Sequence, residues 1–221
     1  MIFQRYIDSI VIRCEDIENV LFRRLRRLEL SQHDFTIISN NCWGGHVYRR
    51  YGLPYLSPTV GLYFYSDDYI KFVSDLDYYT KQTLEFISWR ESKHKDELLS
   101  RGQTNVPIGI LGNNVEIIFL HYSSEKDAFE KWTRRSQRIN FDNIILKISE
   151  MNGCTHEILR TFESLPYKKK IAFVTSNTHN TLQYGTIVNK YADDKRVLND
   201  TTYYATHVNL KKMINSSVFN G

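Results

Sequence analysis

Apolar residues at Ile7, Ile10, Cys14, Ile17, Leu21, Leu25 and Leu28 recur at spacings of three and four, which puts them on one face of a helix over residues 7–30. Arg23, Arg24, Arg26 and Arg27 crowd its last turns, where cations oppose the negative end of the helix dipole. The pattern predicts a helix that packs this face on a core; a helix lying on a membrane surface or an anionic partner is the alternative. A short apolar run at 35–39 then predicts a buried strand that enters Asn40-Asn41-Cys42-Trp43-Gly44-Gly45-His46, and Gly52 and Pro54 close the piece that follows. Residues 61–65 read as another strand. Ser66-Asp67-Asp68 opens a helix through about Tyr79, with Ile70, Val73 and Leu76 inward.

Residues 90–106 are polar, a loop or a remnant of helix, and 115–120 form a strand after Gly112-Asn113-Asn114. Ser124 and Asp127 resemble a capping box for a helix to Ile139 that buries Ala128, Trp132 and Ile139 and shows Arg134, Arg135 and Arg138. Strands at 143–149 and 171–175 flank a helix capped by Thr155, whose apolar face is Ile158, Leu159, Phe162 and Leu165. A crossover of this length requires parallel neighbours. Lys168, Lys169 and Lys170 read as a solvated turn between the two. Beyond Asn177 the pattern weakens; 201–208 reads as a strand and the tail over 211–221 as frayed. The expectation is a single α/β domain over 1–221 with an N-terminal helical segment at 1–30. Its architecture is a three-layer sandwich with a mixed, mostly parallel sheet flanked by helices.

The chain has 221 residues, 42% of them hydrophobic, and a net charge of +4, enough for a substantial core and unlike a disordered or fibrous sequence. Three widely spaced cysteines, Cys14, Cys42 and Cys154, make neither a disulfide framework nor a CxxC zinc site, and the histidines lack metal-ligand spacing. No apolar run approaches the ~18 residues of a membrane span, and residues 1–6 lack the order of a signal peptide, so a cytoplasmic protein is expected, with peripheral membrane contact left open. The charge belongs to residues 151–221, with nine Lys or Arg against five Asp or Glu; the first 150 residues hold twenty of each. This mild excess, without a recognisable motif, argues against a nucleic-acid partner and for a small ligand.

Cys42 is the leading candidate for chemistry. Between a strand and a helix, its thiolate would gain from backbone N–H groups and the helix dipole. Asn40 and Asn41 would supply amide donors to an oxyanion, and Gly44 and Gly45 would leave room for substrate. A cysteine nucleophile needs a base, and His46, His121 and His179 are the candidates. The plain alternative is a small buried cysteine in a tight turn. Two strands end in Ser-Asn, at Ser39-Asn40 and Ser176-Asn177, and ligands of open α/β sheets sit beyond such ends. Ser39, Asn40, Asn41, Trp43, Gly44, Gly45 and His46 would therefore face one crevice with Ser176, Asn177 and His179. Arg135 and Arg138 would clamp a phosphate or carboxylate, or else face solvent in ion pairs. Tyr48, Tyr51, Tyr55, Tyr63 and Tyr65 follow closely and suit either stacking on a ligand or core packing. No cofactor or oligomeric state follows from the sequence.

The blocks Ile38-Ser-Asn-Asn-Cys-Trp-Gly-Gly45, Tyr51-Gly52, Ser57-Pro-Thr-Val-Gly-Leu62, Pro107-Ile-Gly109, His121-Tyr122-Ser123, Trp132-Thr-Arg-Arg135 and Arg138-Ile-Asn140 resemble those of a bacterial family of uncharacterised proteins. Its members are commonly labelled exopolysaccharide or capsule biosynthesis proteins. The resemblance covers roughly residues 30–210 and implies an α/β fold and an association with surface polysaccharide, without established catalytic residues. With the two polar strand ends and the Cys-Gly-Gly helix start, the first reading is a transferase acting on an activated sugar or sugar-linked intermediate, with a sugar or nucleotide-sugar ligand and with Cys42 or His121 in the chemical step. A fainter likeness to papain-like cysteine hydrolases would make Asn40, Cys42 and His121 amide, nucleophile and base of a thiol hydrolase or acyltransferase. A non-catalytic carbohydrate-binding or assembly protein is the third reading.

Overall fold

The structure is a computed structural model that describes residues 2–112, 114–183 and 185–220. The chain opens with α1 (Ile2–Leu28), then β1 (Thr36–Ser39) and α2 (Trp43–Arg50). Next come α3 (Ser66–Ser74), α4 (Leu76–Lys81), β2 (Leu84–Ile87), α5 (Lys95–Ser100), β3 (Ile108–Leu111) and β4 (Val115–Ile118). Then follow α6 (Glu125–Ser136), β5 (Ile144–Ser149), α7 (His156–Ser164) and β6 (Lys169–Val174). The chain closes with α8 (Ser176–His179), β7 (Gly185–Ile187), α9 (Leu210–Asn215) and β8 (Phe219–Asn220).

Strands β1, β5, β6 and β7 lie side by side in that order, all parallel, and β8 joins the start of β6. The expected β5-α7-β6 crossover is present, opened by Thr155, whose hydroxyl accepts from the Ile158 amide. Alternation along the strands builds the layers. Ile38, Ile144, Leu146, Ile148, Ala172 and Val174 pack towards α3, α6 and α7, whereas Phe35, Ile37, Ile145, Ile171 and Phe173 pack towards α2 and α9. The three-layer α/β sandwich predicted from periodicity is the observed fold.

Several local expectations are corrected. The strand at 115–120 belongs to a separate antiparallel sheet, β2-β3-β4, and 61–65 contributes only the bridge Tyr63 to Ile118. The helix after Ser66 breaks at Asp75, whose carboxylate caps α4 by accepting from the Tyr78 amide. Helix α6 stops at Ser136, and Arg135, expected at the surface, is buried. Lys169 and Lys170 are buried strand residues rather than a turn; Lys169 Nζ donates to the Asn143 side chain and the Ile214 carbonyl, and Lys170 Nζ to the Leu165 carbonyl past the end of α7. Residues 201–208 form turns because Asn199 Oδ1 accepts from the Thr201 amide and Tyr203 takes a φ of 57°. The tail is anchored: Asn209 caps α9, Leu210, Met213 and Ile214 are buried, and Phe219 pairs with Lys169.

Helix α1 departs most. Its polar side meets the body, with Asn19 buried against Tyr204, while Ile10, Ile17, Leu21, Leu25 and Leu28 are exposed. From Ile10 on, the expected core-facing stripe faces outward; the Ile7 side chain lies outside the described residues. No helix among the described residues is long and apolar enough to cross a membrane.

Candidate functional site

At their C-terminal ends β1 and β5 are joined by side chains as well as by the ladder. Asn40 Oδ1 accepts from the Ser149 amide at 3.1 Å, and Asn40 Nδ2 donates to the Ser149 carbonyl at 3.3 Å. On the α2 side of β5 lies Lys147, fully buried, its ammonium 5.2 Å from the Phe173 ring and 6.0 Å from Trp43. It pairs with the equally buried Asp200 and donates to Asn41 Oδ1 at 3.0 Å. Asp200 also accepts from Asn41 Nδ2 at 2.9 Å and from the Ser149 hydroxyl. Burial alone would raise the Asp200 carboxyl, yet Lys147 with Ser149 and Asn41 holds it below the usual carboxylate range. Desolvation pulls the Lys147 ammonium down, against the attraction of Asp200.

Above this network opens a cavity of about 690 Å³. Asn41, Cys42, Gly45, His46 and Arg49 enter it from the end of β1 and from α2; Met151 and Asn152 enter from beyond β5. Tyr55, Val60, Gly61 and Tyr63 form one wall, with Leu120 and His121 from the end of the antiparallel sheet. Arg101 and Gln103 follow α5, and Leu198 to Thr201 complete the rim. Its location beyond the strand ends is the one open α/β sheets use for ligands.

Two guanidinium groups reach the cavity. Arg49 Nη2 donates to His46 Nδ1 at 2.8 Å, and its Nη1 lies 3.3 Å from Asp16 of α1. Arg101 donates to Asn152 Oδ1 at 2.9 Å and lies 5.5 Å over the Tyr65 ring. Burial, then the Arg49 charge, holds the His46 imidazole down to about 4, and the same two causes lower His121. Both rings are therefore neutral near pH 7. Because His46 Nδ1 accepts from Arg49, its Nε2 carries the proton.

Of the residues singled out from sequence, Asn41, Cys42, Gly45, His46, Tyr55, Tyr63 and His121 meet at this cavity. The thiol of Cys42 is the reverse of the activated group expected. Burial, helped by Asp200, pushes it up to about 12, and its sulfur hydrogen-bonds the Leu62 carbonyl at 3.6 Å rather than an imidazole. Helix α2 is eight residues long, and its dipole does not offset the desolvation. Ser39 and Asn40 are buried in the strand junction, and Trp43 packs edge-on to Phe173. At Gly44 an added Cβ would stand 3.0 Å from Ile37 Cγ2, so this glycine lets α2 lie close on β1. Ser176, Asn177 and His179 lie elsewhere, because β5 separates β6 from β1; Thr175 and Thr178 beside them bond Glu150. Arg135 donates to the Val60 carbonyl and Tyr122 Oη and stacks 5.0 Å from Tyr55, while Arg138 bonds the Tyr55 carbonyl. These arginines brace the cavity wall from behind.

Sequence reasoning missed Arg49, Arg101, Lys147 and Asp200. For Lys147 a signal existed: one lysine at an inward position of the apolar strand Ile144–Ser149 demands a buried counter-charge. Among the described residues, Asp67, Asp68 and His94 bring potential metal-ligating atoms within 4.8 Å of one another. The Lys93 ammonium already occupies that place, paired with Asp68 and 3.6 Å from Asp67.

The family described as a domain of unknown function (DUF1919) matches residues 14–219. The chain belongs to this family. An uncharacterised protein of Haemophilus influenzae (strain ATCC 51907 / DSM 11121 / KW20 / Rd) is 32% identical over 151 residues, 68% of this chain and 66% of that relative. The chain thus matches just under two thirds of the relative's length. The matched region of the family contains every residue that lines the cavity.

Proposed function

We propose that this protein is a transferase whose cavity takes a phosphorylated or nucleotide-activated sugar, acting in the cytoplasm in surface-polysaccharide synthesis. The observation that carries the reading is the pairing of two cations, Arg49 and Arg101, with two uncharged imidazoles, His46 and His121, in one cavity. Among the described residues the only carboxylate lining it, Asp200, is neutralised from beneath by Lys147; Asp16, outside the lining, pairs with Arg49, and Arg101 adds positive charge. Guanidinium groups suit phosphate oxygens, and the Tyr55 and Tyr63 rings suit a sugar or base face. The resemblance of residues 30–210 to capsule-associated bacterial proteins supplies the polysaccharide context.

In this reading an acceptor hydroxyl attacks the anomeric carbon while the bond to the departing phosphate oxygen breaks. His121 takes the hydroxyl proton, and Arg49 and Arg101 stabilise the charge that grows on the phosphate. A nucleotide-sugar panel in a thermal-shift assay tests it. A member of the panel at millimolar concentration should raise Tm in the wild type, Arg49→Ala and Arg101→Ala should abolish the rise, and His121→Ala should keep it. No rise with any nucleotide-sugar, nucleoside diphosphate or sugar phosphate would remove the phosphate-ligand reading.

A further inference from the structure

The outward face of α1 has a stricter order than an ordinary amphipathic helix. Ile10, Cys14, Ile17, Leu21, Arg24 and Leu28 alternate four and three apart along the described part of this face. In heptad notation, Cys14, Leu21 and Leu28 take position a, and Ile10, Ile17 and Arg24 take d. An a/d repeat of this kind is the pattern of helix-to-helix pairing, and exposed Val20, Phe22 and Leu25 widen its apolar border. The seam is bare: Ile10 is 44% exposed, Ile17 62%, Leu21 66% and Leu28 82%. The opposite side of α1 is fastened to the body by Asn19 to Tyr204 and by Asp16 to Arg49.

We propose that a second copy of this chain covers the seam, the two α1 helices pairing in parallel as a coiled coil. The flanking residues select this partner and direction. In a parallel pair each g position meets the e position five residues on in the other helix, which places Arg13 beside the partner's Glu18, twice over by symmetry, where it joins the Arg26 that Glu18 already pairs with in its own helix. Val20 at g then meets the partner's Leu25 at e, widening the apolar seam. An antiparallel pair that sets Leu21 against the partner's Ile17 brings Arg13 towards the partner's Arg27 and each Glu18 towards its own copy, both repulsive. Arg24 at d is the polar exception in the parallel seam and sets its register at some loss of affinity. Helix α1 carries six arginines against four acidic residues, so its net charge does not choose between partners, and the pairing of Arg13 with Glu18 is what selects a second copy. Because the body packs on the far side of each helix, the two bodies stand apart on opposite sides of the pair.

Sedimentation equilibrium on the full chain at tens of micromolar should give twice the 26.2 kDa monomer mass. Ile17→Glu/Leu21→Glu should return the monomer mass with its circular dichroism unchanged, since both side chains are exposed. Arg13→Glu should weaken the dimer roughly tenfold, and adding Glu18→Arg should restore it. Diamide oxidation should link the dimer through Cys14, the link being lost in Cys14→Ser and kept in Cys42→Ser/Cys154→Ser. A wild type that stays monomeric, a dimer that survives the double glutamate variant, or a dimer without the Cys14 link would each overturn the proposal. So would a monomer that pellets with phosphatidylserine vesicles, which would assign the seam to a membrane surface.

Discussion

Lys147 and Leu21 occupy the kinds of place usually held by the other. The lysine is fully buried in the middle layer, and the leucine is 66% exposed on α1. Each exception has a physical reason, and the reasons differ. Lys147 is tolerated because Asp200, Asn41 and its aromatic neighbours answer its charge from within the same chain. Leu21 is left open to water among the described residues, and in the dimer proposed above its partner is the second copy. A buried charge with a full set of partners reports on local architecture; an exposed apolar repeat reports on association.

The sharpest way to break the comparison is to leave one buried charge without its partner. Lys147→Met strands the Asp200 carboxylate in the core and should destabilise the fold by roughly 3–5 kcal/mol in urea titration. Lys147→Met/Asp200→Leu should recover most of that loss, because a well-packed apolar pair replaces the ionic one. A single variant as stable as the wild type would mean that the pair does not hold the strand ends together.

Titration separates the two regions by sign. The folded pKa of His46 is about 4 against an ordinary 6.5, so between those values the unfolded chain binds more protons and stability falls as pH drops. The full effect is at most about 3 kcal/mol. Glu15, on the inner side of α1, behaves oppositely. Burial raises its carboxyl to about 7, so stability present below pH 4.5 is lost as pH rises through about 7. Thermal melts from pH 4 to 8 should show His46→Gln flattening the acid limb and Glu15→Gln flattening the neutral one.

Periodicity made the β5-α7-β6 unit and α1 legible, because a repeat of two or of three to four reports directly on local backbone geometry. It did not reveal which face of α1 would be covered, since amphipathicity records that a face wants a partner and not where the partner lies. The Ser-Asn echo misled for a related reason: both strands do end in polar residues, but the order β1-β5-β6 was not written in either. Asp200 lies 53 residues beyond Lys147 in a turn without regular pattern, so a lone strand lysine could announce a counter-charge without naming it. Cys42 lines the cavity with its thiol pushed up rather than activated, because burial there exceeds what a short helix start supplies.

The smallest expected effect tests the inversion on α1 itself. Asn19 is buried, donates from Nδ2 to Tyr204 Oη at 3.0 Å and accepts from Arg26 Nη1 at 3.0 Å. Asn19→Ala leaves both partners short of a bond at the interface between helix and body, a loss of about 1–3 kcal/mol. Leu21→Ala, two residues along, removes far more apolar surface, yet most of that surface touches water, so its effect on the monomer should stay within about 0.5 kcal/mol. Urea titrations at sub-micromolar concentration keep self-association out of the comparison. If Leu21→Ala proves the more damaging, α1 is rotated in solution with its apolar face on the body, and the seam is no longer free for a second copy.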